Sequence, residues 1–141
     1  MDRKGELWML MIAFLVAAPG CVLRPHSTRA IEGTWAIASA SLGGRELPLA
    51  VFNNSPLLLA GGKYAFQNDT GEYSVSRASG PEAIDVRGLR GPNAGRTIPA
   101  IFKLHADTLT ICYDLSLKAR PKDFSSVAGT QLFLVRYTRR S

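Results

Sequence analysis

The strongest constraint on this chain is a regular succession of short β-forming segments separated by turn residues. In this part of the chain, no stretch with the periodicity of a helix is longer than two helical turns. The segments predict eight strands, at residues 34–42, 55–60, 63–67, 72–77, 82–87, 97–104, 107–113 and 130–137. Most connections are short turns such as Gly61-Gly62, and short connections join antiparallel neighbours. We therefore expect an antiparallel meander.

A meander of eight strands exposes two unpaired edges unless it closes on itself. Closure produces an up-and-down barrel, and the alternation of apolar with polar residues fits a wall with one inner and one outer face. The residues expected on the inner face are Trp35, Ile37, Tyr64, Phe66, Tyr73, Val75, Ile84, Val86, Phe102, Leu109, Ile111 and Tyr113. The sequence thus predicts an all-β fold, an eight-stranded antiparallel up-and-down barrel.

Two parts of the chain depart from this simple pattern. The first and last predicted strands carry apolar residues on both faces, so we expect another segment to cover them from outside. Residues 47–52 and the long connection 114–129 are the segments available for this. The connection exceeds ordinary hairpin length, which is typical of lids, binding loops and mobile links. With Phe124 as an apolar plug it would cap the barrel, and the other interpretation is a gate for a ligand.

The start of the sequence carries a separate signal. Residues 7–18 form an apolar run that ends at Pro19-Gly20-Cys21, and such a run closed by small residues is typical of an export signal. The run is shorter than the ~20 apolar residues needed to cross a bilayer. The predicted organisation is a lipoprotein-type signal peptide at residues 1–20, lipidation at Cys21, a polar tether at 21–30 and the barrel domain at 31–138.

Two other interpretations of this leader stay open. It is either a cleaved signal followed by an ordinary cysteine, or an uncleaved anchor. All three place the barrel outside the cytoplasm, as an exported domain of the cell envelope. Under the lipoprotein interpretation the membrane is a partner, reached through the lipid on Cys21.

The charge balance bears on partners. The formal net charge is +6 and the pI is about 9.7, with basic residues spread along the chain. Attraction to anionic lipid or a wall polymer is one interpretation, and a solvated basic surface that aids solubility is the other. Nucleic acid is not an expected partner, because no basic stretch carries interleaved aromatic residues that would stack on bases.

Candidate catalytic and metal-ligating residues are few. The histidines are His26 in the tether and His105 in a turn, and neither has a partner at metal-ligand spacing. Glu72 and Asp85 fall on neighbouring strands but on the outer face, where surface ion pairs contribute little. Cys112 is expected to be a small apolar residue on a strand. We therefore expect no enzyme activity, no metal and no cofactor.

Ordered motifs point to a family. Gly33-Thr34-Trp35 opens the first strand as a G-x-W motif, residues 109–112 match L-x-x-C, and residues 120–124 match R-P-x-x-F. The final strand follows and contains Arg136. In this order, residues 31–137 resemble an uncharacterised lipocalin-like domain family abundant in planctomycete bacteria. The resemblance implies a small β-barrel and no assigned activity.

The resemblance also implies one structural contact. In lipocalin-like barrels the tryptophan of the G-x-W motif closes one end, with an arginine of the last strand laid across its ring. By position these would be Trp35 and Arg136, in a cation–π contact worth about 0.5–2 kcal/mol. The alternative is that Trp35 lines a ligand site.

The function expected from these observations is non-catalytic binding of a small apolar or amphipathic ligand inside the barrel. An eight-stranded barrel is wide enough either to be filled by its own side chains or to hold one small ligand. The expected ligand-binding residues are Tyr64, Phe66, Tyr73, Phe102 and Tyr113. The alternative is a structural or interaction module of the cell envelope with a filled barrel.

Overall fold

The computed structural model describes residues 26–77 and 79–141. The predicted signal peptide at residues 1–20 and the predicted lipidation site Cys21 lie outside the described residues. The described elements are helix α1 (His26–Ala30), a 3₁₀ helix (Leu49–Phe52) and strands β1 (Gly33–Leu42), β2 (Arg45–Glu46), β3 (Leu57–Ala60), β4 (Lys63–Phe66), β5 (Asp69–Ser76), β6 (Glu82–Arg90), β7 (Thr97–His105), β8 (Thr108–Asp114) and β9 (Leu132–Arg139).

Eight of these strands close into a barrel. The strands from β3 to β9 follow one another in sequential order, and β1 lies between β3 and β9. The two-residue strand β2 folds back on the end of β1. Every neighbouring pair is antiparallel, and β1 pairs with β9 from Trp35–Arg139 to Leu42–Phe133. The predicted eight-stranded antiparallel up-and-down barrel is confirmed.

The predicted strands match the observed ones to within a few residues at each end. The largest differences are three residues, at the end of β6 and at the start of β5, which begins at Asp69, inside the segment that the sequence indicated as a turn. Gln67 takes a left-handed φ of 57°, so the chain reverses early and Asp69 pairs with Phe66. We call the end of the barrel at this β4–β5 turn the upper end, and the opposite end, where β1 begins, the floor.

The side chains that fill the barrel are those that the alternation of apolar and polar residues predicts. All residues expected on the inner face belong to the hydrophobic core or pack against it. Trp35, Phe102, Leu109 and Ile111 are each at most 2% exposed. Burial of this apolar surface, at roughly 25 cal/mol per Å², is the main force that holds the cylinder together.

A bulge explains the irregular pattern of the first strand. The register of β1 against β9 shifts between Ile37 and Ser39. Trp35 lies inside the barrel before the shift, and Ala40 lies inside after it, so the inner face changes from odd to even positions. One extra residue in a strand moves all later side chains to the other face.

The connection from β8 to β9, residues 115–131, lies against the outside of the barrel, and we call it the outer loop. It covers Ile101 and Cys112, which face outward yet are 2% and 0% exposed. The Phe124 ring lies 4.6 Å from Nζ of Lys103 on the outer face of β7. The interpretation of Phe124 as a barrel plug is therefore wrong, because the loop folds over the wall instead of over the opening.

The 3₁₀ helix closes the upper end in place of the outer loop. Leu47 and Phe52 pack against the core. The Phe52 ring contacts Phe66 and Phe133 at centroid distances of 6.3 and 6.4 Å. The segment between β2 and β3 therefore provides one aromatic side chain that sits in the opening.

Arg139, and not Arg136, lies across Trp35 at the floor. The guanidinium carbon of Arg139 is 4.3 Å from the Trp35 ring centroid. Trp35 pairs directly with Arg139 in the sheet, whereas Arg136 pairs with Ser39 and is exposed. The predicted contact of Trp35 with Arg136 is wrong. The odd-numbered residues of β9 face inward, whereas Arg136 has an even number and faces outward.

Candidate functional site

The upper half of the barrel contains a partly open cavity of about 120 Å³. Its walls come from the inner faces of most strands, together with the 3₁₀ helix, the loop after β6 and Leu115, the first residue of the outer loop. The lining residues are Ile37, Phe52, Leu57, Leu59, Tyr64, Phe66, Asp69, Tyr73, Ile84, Val86, Asn93, Ile98, Ile111, Tyr113, Leu115, Phe133 and Tyr137.

Four of the five predicted ligand-binding residues line this cavity. They are Tyr64, Phe66, Tyr73 and Tyr113. The fifth, Phe102, is 2% exposed but does not line it. Phe102 pairs with Glu82, the first residue of β6, and therefore lies nearer the floor, where the barrel is filled by packed side chains.

Aromatic rings surround the upper part of the cavity. Phe52 meets Phe66 nearly edge-on, at an interplanar angle of 64°, and the Tyr113 and Phe133 rings stack with centroids 5.7 Å apart. These geometries are the offset and edge-to-face arrangements that aromatic rings prefer. The opening is thus lined by ring faces and edges, and Phe52 is the one that comes from a loop segment.

A buried carboxylate lies among these rings. Asp69 is 9% exposed, and its Oδ2 accepts hydrogen bonds from the Tyr64 hydroxyl at 3.2 Å and from Asn93 Nδ2 at 2.7 Å. The Asn93 backbone N–H donates to the other oxygen, Oδ1, at 3.3 Å. Asp69 is the first residue of β5 and Asn93 lies in the loop after β6, so the pairing of β5 with β6 brings them together.

Glycines allow this approach of the two connections. A Cβ at Gly88 would collide with the backbone carbonyl of Asn93, and a Cβ at Gly91, where φ is 92°, would collide with the carbonyl of Asn68. Any larger residue at these positions would push the loop after β6 away from Asp69. The glycine-rich loop is therefore a close-approach element, and not only a flexible hairpin connection.

Sequence reasoning missed Asp69 and Asn93 as site residues. Both are in segments whose composition indicates turns, and aspartate and asparagine are common in turns for local reasons. The only signal was the presence of several glycines near Asn93. Glycines permit close backbone contact, but they do not indicate which residue is contacted.

The tyrosine hydroxyls supply further polar groups to an apolar interior. Those of Tyr113 and Tyr137 hydrogen-bond to each other at 2.8 Å. Burial raises the pKa of Tyr113 to about 12, and burial together with the neighbouring Tyr113 raises the pKa of Tyr137 well above its ordinary value. Both hydroxyls therefore stay protonated and neutral at physiological pH.

The Tyr73 hydroxyl is buried and has no hydrogen-bond partner among the described residues. Burial raises the pKa of Tyr73, with the Gly62 backbone acting to a smaller extent in the opposite direction. Leaving such a group without a partner costs about 1–3 kcal/mol.

The described part of the chain contains no group of three or more His, Cys, Asp or Glu side chains placed to hold a metal ion. No helix within residues 26–77 and 79–141 has the length and apolar character needed to span a membrane. Cys112 is buried under the outer loop, where its thiol donates to the Ser125 carbonyl at 3.6 Å.

Comparison of the chain with protein-family models, with curated proteins and with solved structures found no match in any of the three. Of the resemblance drawn from the ordered motifs, the structure shows the eight-stranded antiparallel barrel. The function is therefore to be inferred from the geometry of the cavity and from the chemistry of its lining.

Proposed function

We propose that this protein is a non-catalytic, lipocalin-like barrel that binds a small apolar or amphipathic molecule. The observation that carries the proposal is the cavity of about 120 Å³, walled by aromatic and aliphatic side chains with a few polar groups. Concave, mostly apolar pockets with a small number of placed polar groups are the usual form of small-molecule sites. The proposal includes no nucleic-acid partner and no cofactor.

The cavity volume sets the size of the ligand. An apolar cavity of about 150 Å³ in another protein is known to bind benzene. Pockets for larger ligands are roughly 300–1,000 Å³. We therefore expect a molecule with one ring, or an equally short apolar chain, unless Phe52 moves out of the opening and enlarges it.

Titration of the purified full chain with toluene and benzyl alcohol tests this proposal, with calorimetry or ligand-observed NMR as the measurement. We expect saturable binding of both probes at one site. The variant Val86→Phe fills part of the cavity, since Val86 lines it, and should weaken binding about tenfold or more. Val127→Phe is the matched control, because Val127 is 48% exposed and outside the cavity.

Absence of binding by the folded wild-type chain would overturn the proposal, whatever the variants do. The alternative function, a structural or interaction module of the cell envelope, would then be favoured. Equal affinity of Val86→Phe and the wild type would show that the probes bind elsewhere, and would also count against the barrel site.

We further propose that the barrel works outside the cytoplasm, held at a membrane by a lipid on Cys21. The apolar run that ends at this cysteine supports the proposal. Labelling with a palmitate analogue, in a bacterium that processes lipoproteins, should mark the wild type and Cys112→Ala but not Cys21→Ala. Equal labelling of both variants would contradict it.

A further inference from the structure

We infer that the cavity selects a small organic cation, in which an ammonium group is attached to an apolar body of about one ring. This inference rests on the proposed binding function and names the chemical class of the ligand. It is carried by the placement of one buried carboxylate among aromatic rings at the upper end of the barrel.

Asp69 is the only charged side chain among the described residues that line the cavity. Its described hydrogen-bond donors, the Tyr64 hydroxyl and two N–H groups of Asn93, are all neutral. Burying a carboxylate without a counter-charge is unfavourable, and neutral donors offset this only in part. A cationic ligand would supply the charge that the described lining lacks.

The hydrogen-bonding capacity of Asp69 is also incomplete. A carboxylate has about four acceptor positions, and here Oδ2 receives two donors whereas Oδ1 receives one, at 3.3 Å. An ammonium group has three donors. The acceptor positions of Asp69 that no described group fills are available to these donors.

The rings beside the carboxylate favour the same ligand. Phe66 is the direct strand partner of Asp69. At the same end of the barrel, the ring centroid of Phe52 lies 6.3 Å from that of Phe66 and 6.4 Å from that of Phe133. A cation within about 6 Å of a ring centroid gains about 0.5–2 kcal/mol from the ring quadrupole. A carboxylate together with several ring faces is the combination that recognises ammonium ions.

The same placement disfavours anionic ligands. A fatty acid or another carboxylate in this cavity would bring a second negative charge close to Asp69, with no basic side chain among the described lining residues. Like charges in a poorly solvated site repel strongly. A neutral alcohol can donate one hydrogen bond to Asp69 but leaves the charge uncompensated.

Three probes of the same shape separate these cases: benzylamine, benzyl alcohol and benzoate. Each is titrated into the purified full chain at neutral pH, where the amine is protonated and the acid ionised. We expect benzylamine to bind about tenfold or more tightly than benzyl alcohol, and benzoate to bind more weakly than both.

The variant Asp69→Asn keeps the shape of the side chain and removes its charge. We expect it to abolish the preference for benzylamine while binding of benzyl alcohol is retained. Glu72→Gln is the matched control, because it removes one carboxylate from the outer wall, where the Glu72 side chain is 51% exposed. This control should keep the full preference.

Each outcome has a definite meaning. Equal binding of the amine and the alcohol by the wild type overturns the cation inference and leaves the binding function standing. Binding of none of the probes overturns both. If Asp69→Asn fails to fold, the comparison of benzylamine with benzyl alcohol in the wild type still tests the inference. If Asp69→Asn folds and keeps the preference for benzylamine, the inference is also overturned.

Discussion

Arg139 stabilises the floor of the barrel through several contacts at once. Its guanidinium stacks on Trp35, and its two terminal nitrogens donate to the backbone carbonyls of Glu32 and Ala30 at 2.8 and 3.0 Å. Gly33 makes room for it, since a Cβ there would lie 2.8 Å from Nη1 of Arg139. The glycine and the tryptophan of the G-x-W motif are thus both explained by this one side chain.

We predict that Arg139→Ala lowers the free energy of unfolding by about 2–4 kcal/mol. The reason is the loss of charged hydrogen bonds to backbone carbonyls, worth about 1.5–3 kcal/mol, together with the cation–π contact. Arg136→Ala is the matched control on the same strand and should change stability by less than about 0.5 kcal/mol, because Arg136 is exposed. Urea unfolding followed by circular dichroism measures both, and equal effects would contradict this account of the floor.

At the scale of elements, the outer loop is held at its start by Asp114. This buried carboxylate accepts hydrogen bonds from the Ser116 hydroxyl at 2.6 Å and from the backbone N–H groups of Ser116 and Ala119, both at 2.9 Å. Burial acts to raise the pKa of Asp114, but these hydrogen bonds outweigh it and the pKa lies below the ordinary value. Further along, Arg120 joins the loop to Asp85 at 2.8 Å.

We predict that Asp114→Ala loosens the outer loop and exposes Cys112. Burial raises the pKa of this thiol, so in the wild type it should react with iodoacetamide far more slowly than an unprotected cysteine. Loss of the Asp114 hydrogen bonds should accelerate the reaction about tenfold or more, which corresponds to about 1.4 kcal/mol of local stability. Gln131→Ala, at an exposed and uncharged position of the same loop, is the control and should leave the rate nearly unchanged.

The contribution of Asp114 to stability depends on pH, and the direction of this dependence follows from its lowered pKa. Because the pKa of Asp114 is lower in the folded chain than its ordinary value of 3.8, its contribution to stability is complete above that value. It is lost as the pH falls through the lower, folded-state pKa. The difference in unfolding free energy between the wild type and Asp114→Ala, measured by urea unfolding, should therefore shrink as the pH falls below 3.8, and a constant difference would contradict the assignment.

At the scale of the whole molecule, all four tyrosines of the chain line the cavity. Burial is the first cause that raises the pKa of each of them. A raised pKa means that the neutral phenol is favoured in the folded barrel. Above the ordinary value of 10.0, the unfolded chain releases protons that the folded chain retains, so stability falls as the pH rises.

We predict cooperative alkaline unfolding that begins above about pH 10. For each tyrosine that ionises only on unfolding, the free energy of unfolding falls by a further ~1.4 kcal/mol per pH unit. Tyrosinate absorbance and the circular dichroism of the strands should change together, in one transition. Tyr113→Phe should make the transition less steep, whereas titration of all four phenols near pH 10 with the barrel intact would contradict the prediction.

The period-2 alternation and the short turns were sufficient to predict the strands, their antiparallel order and the inner face. These properties are local, because the face of a side chain follows from its position in its own strand. The predicted inner residues, among them Trp35, Tyr64 and Ile111, all belong to the core or pack against it. Closure also followed, since an open meander would leave two edges unpaired.

Only the tertiary structure decided which residues from distant parts of the chain meet. The partner of Trp35 is Arg139 because strand register, and not motif order, sets the neighbour. Asp69 and Asn93 come together because the chain reverses early at Gln67 and because glycines allow close approach of two connections. The sequence by itself determined the wall of the barrel, whereas non-local packing determined its floor, its outer cover and the charge inside it.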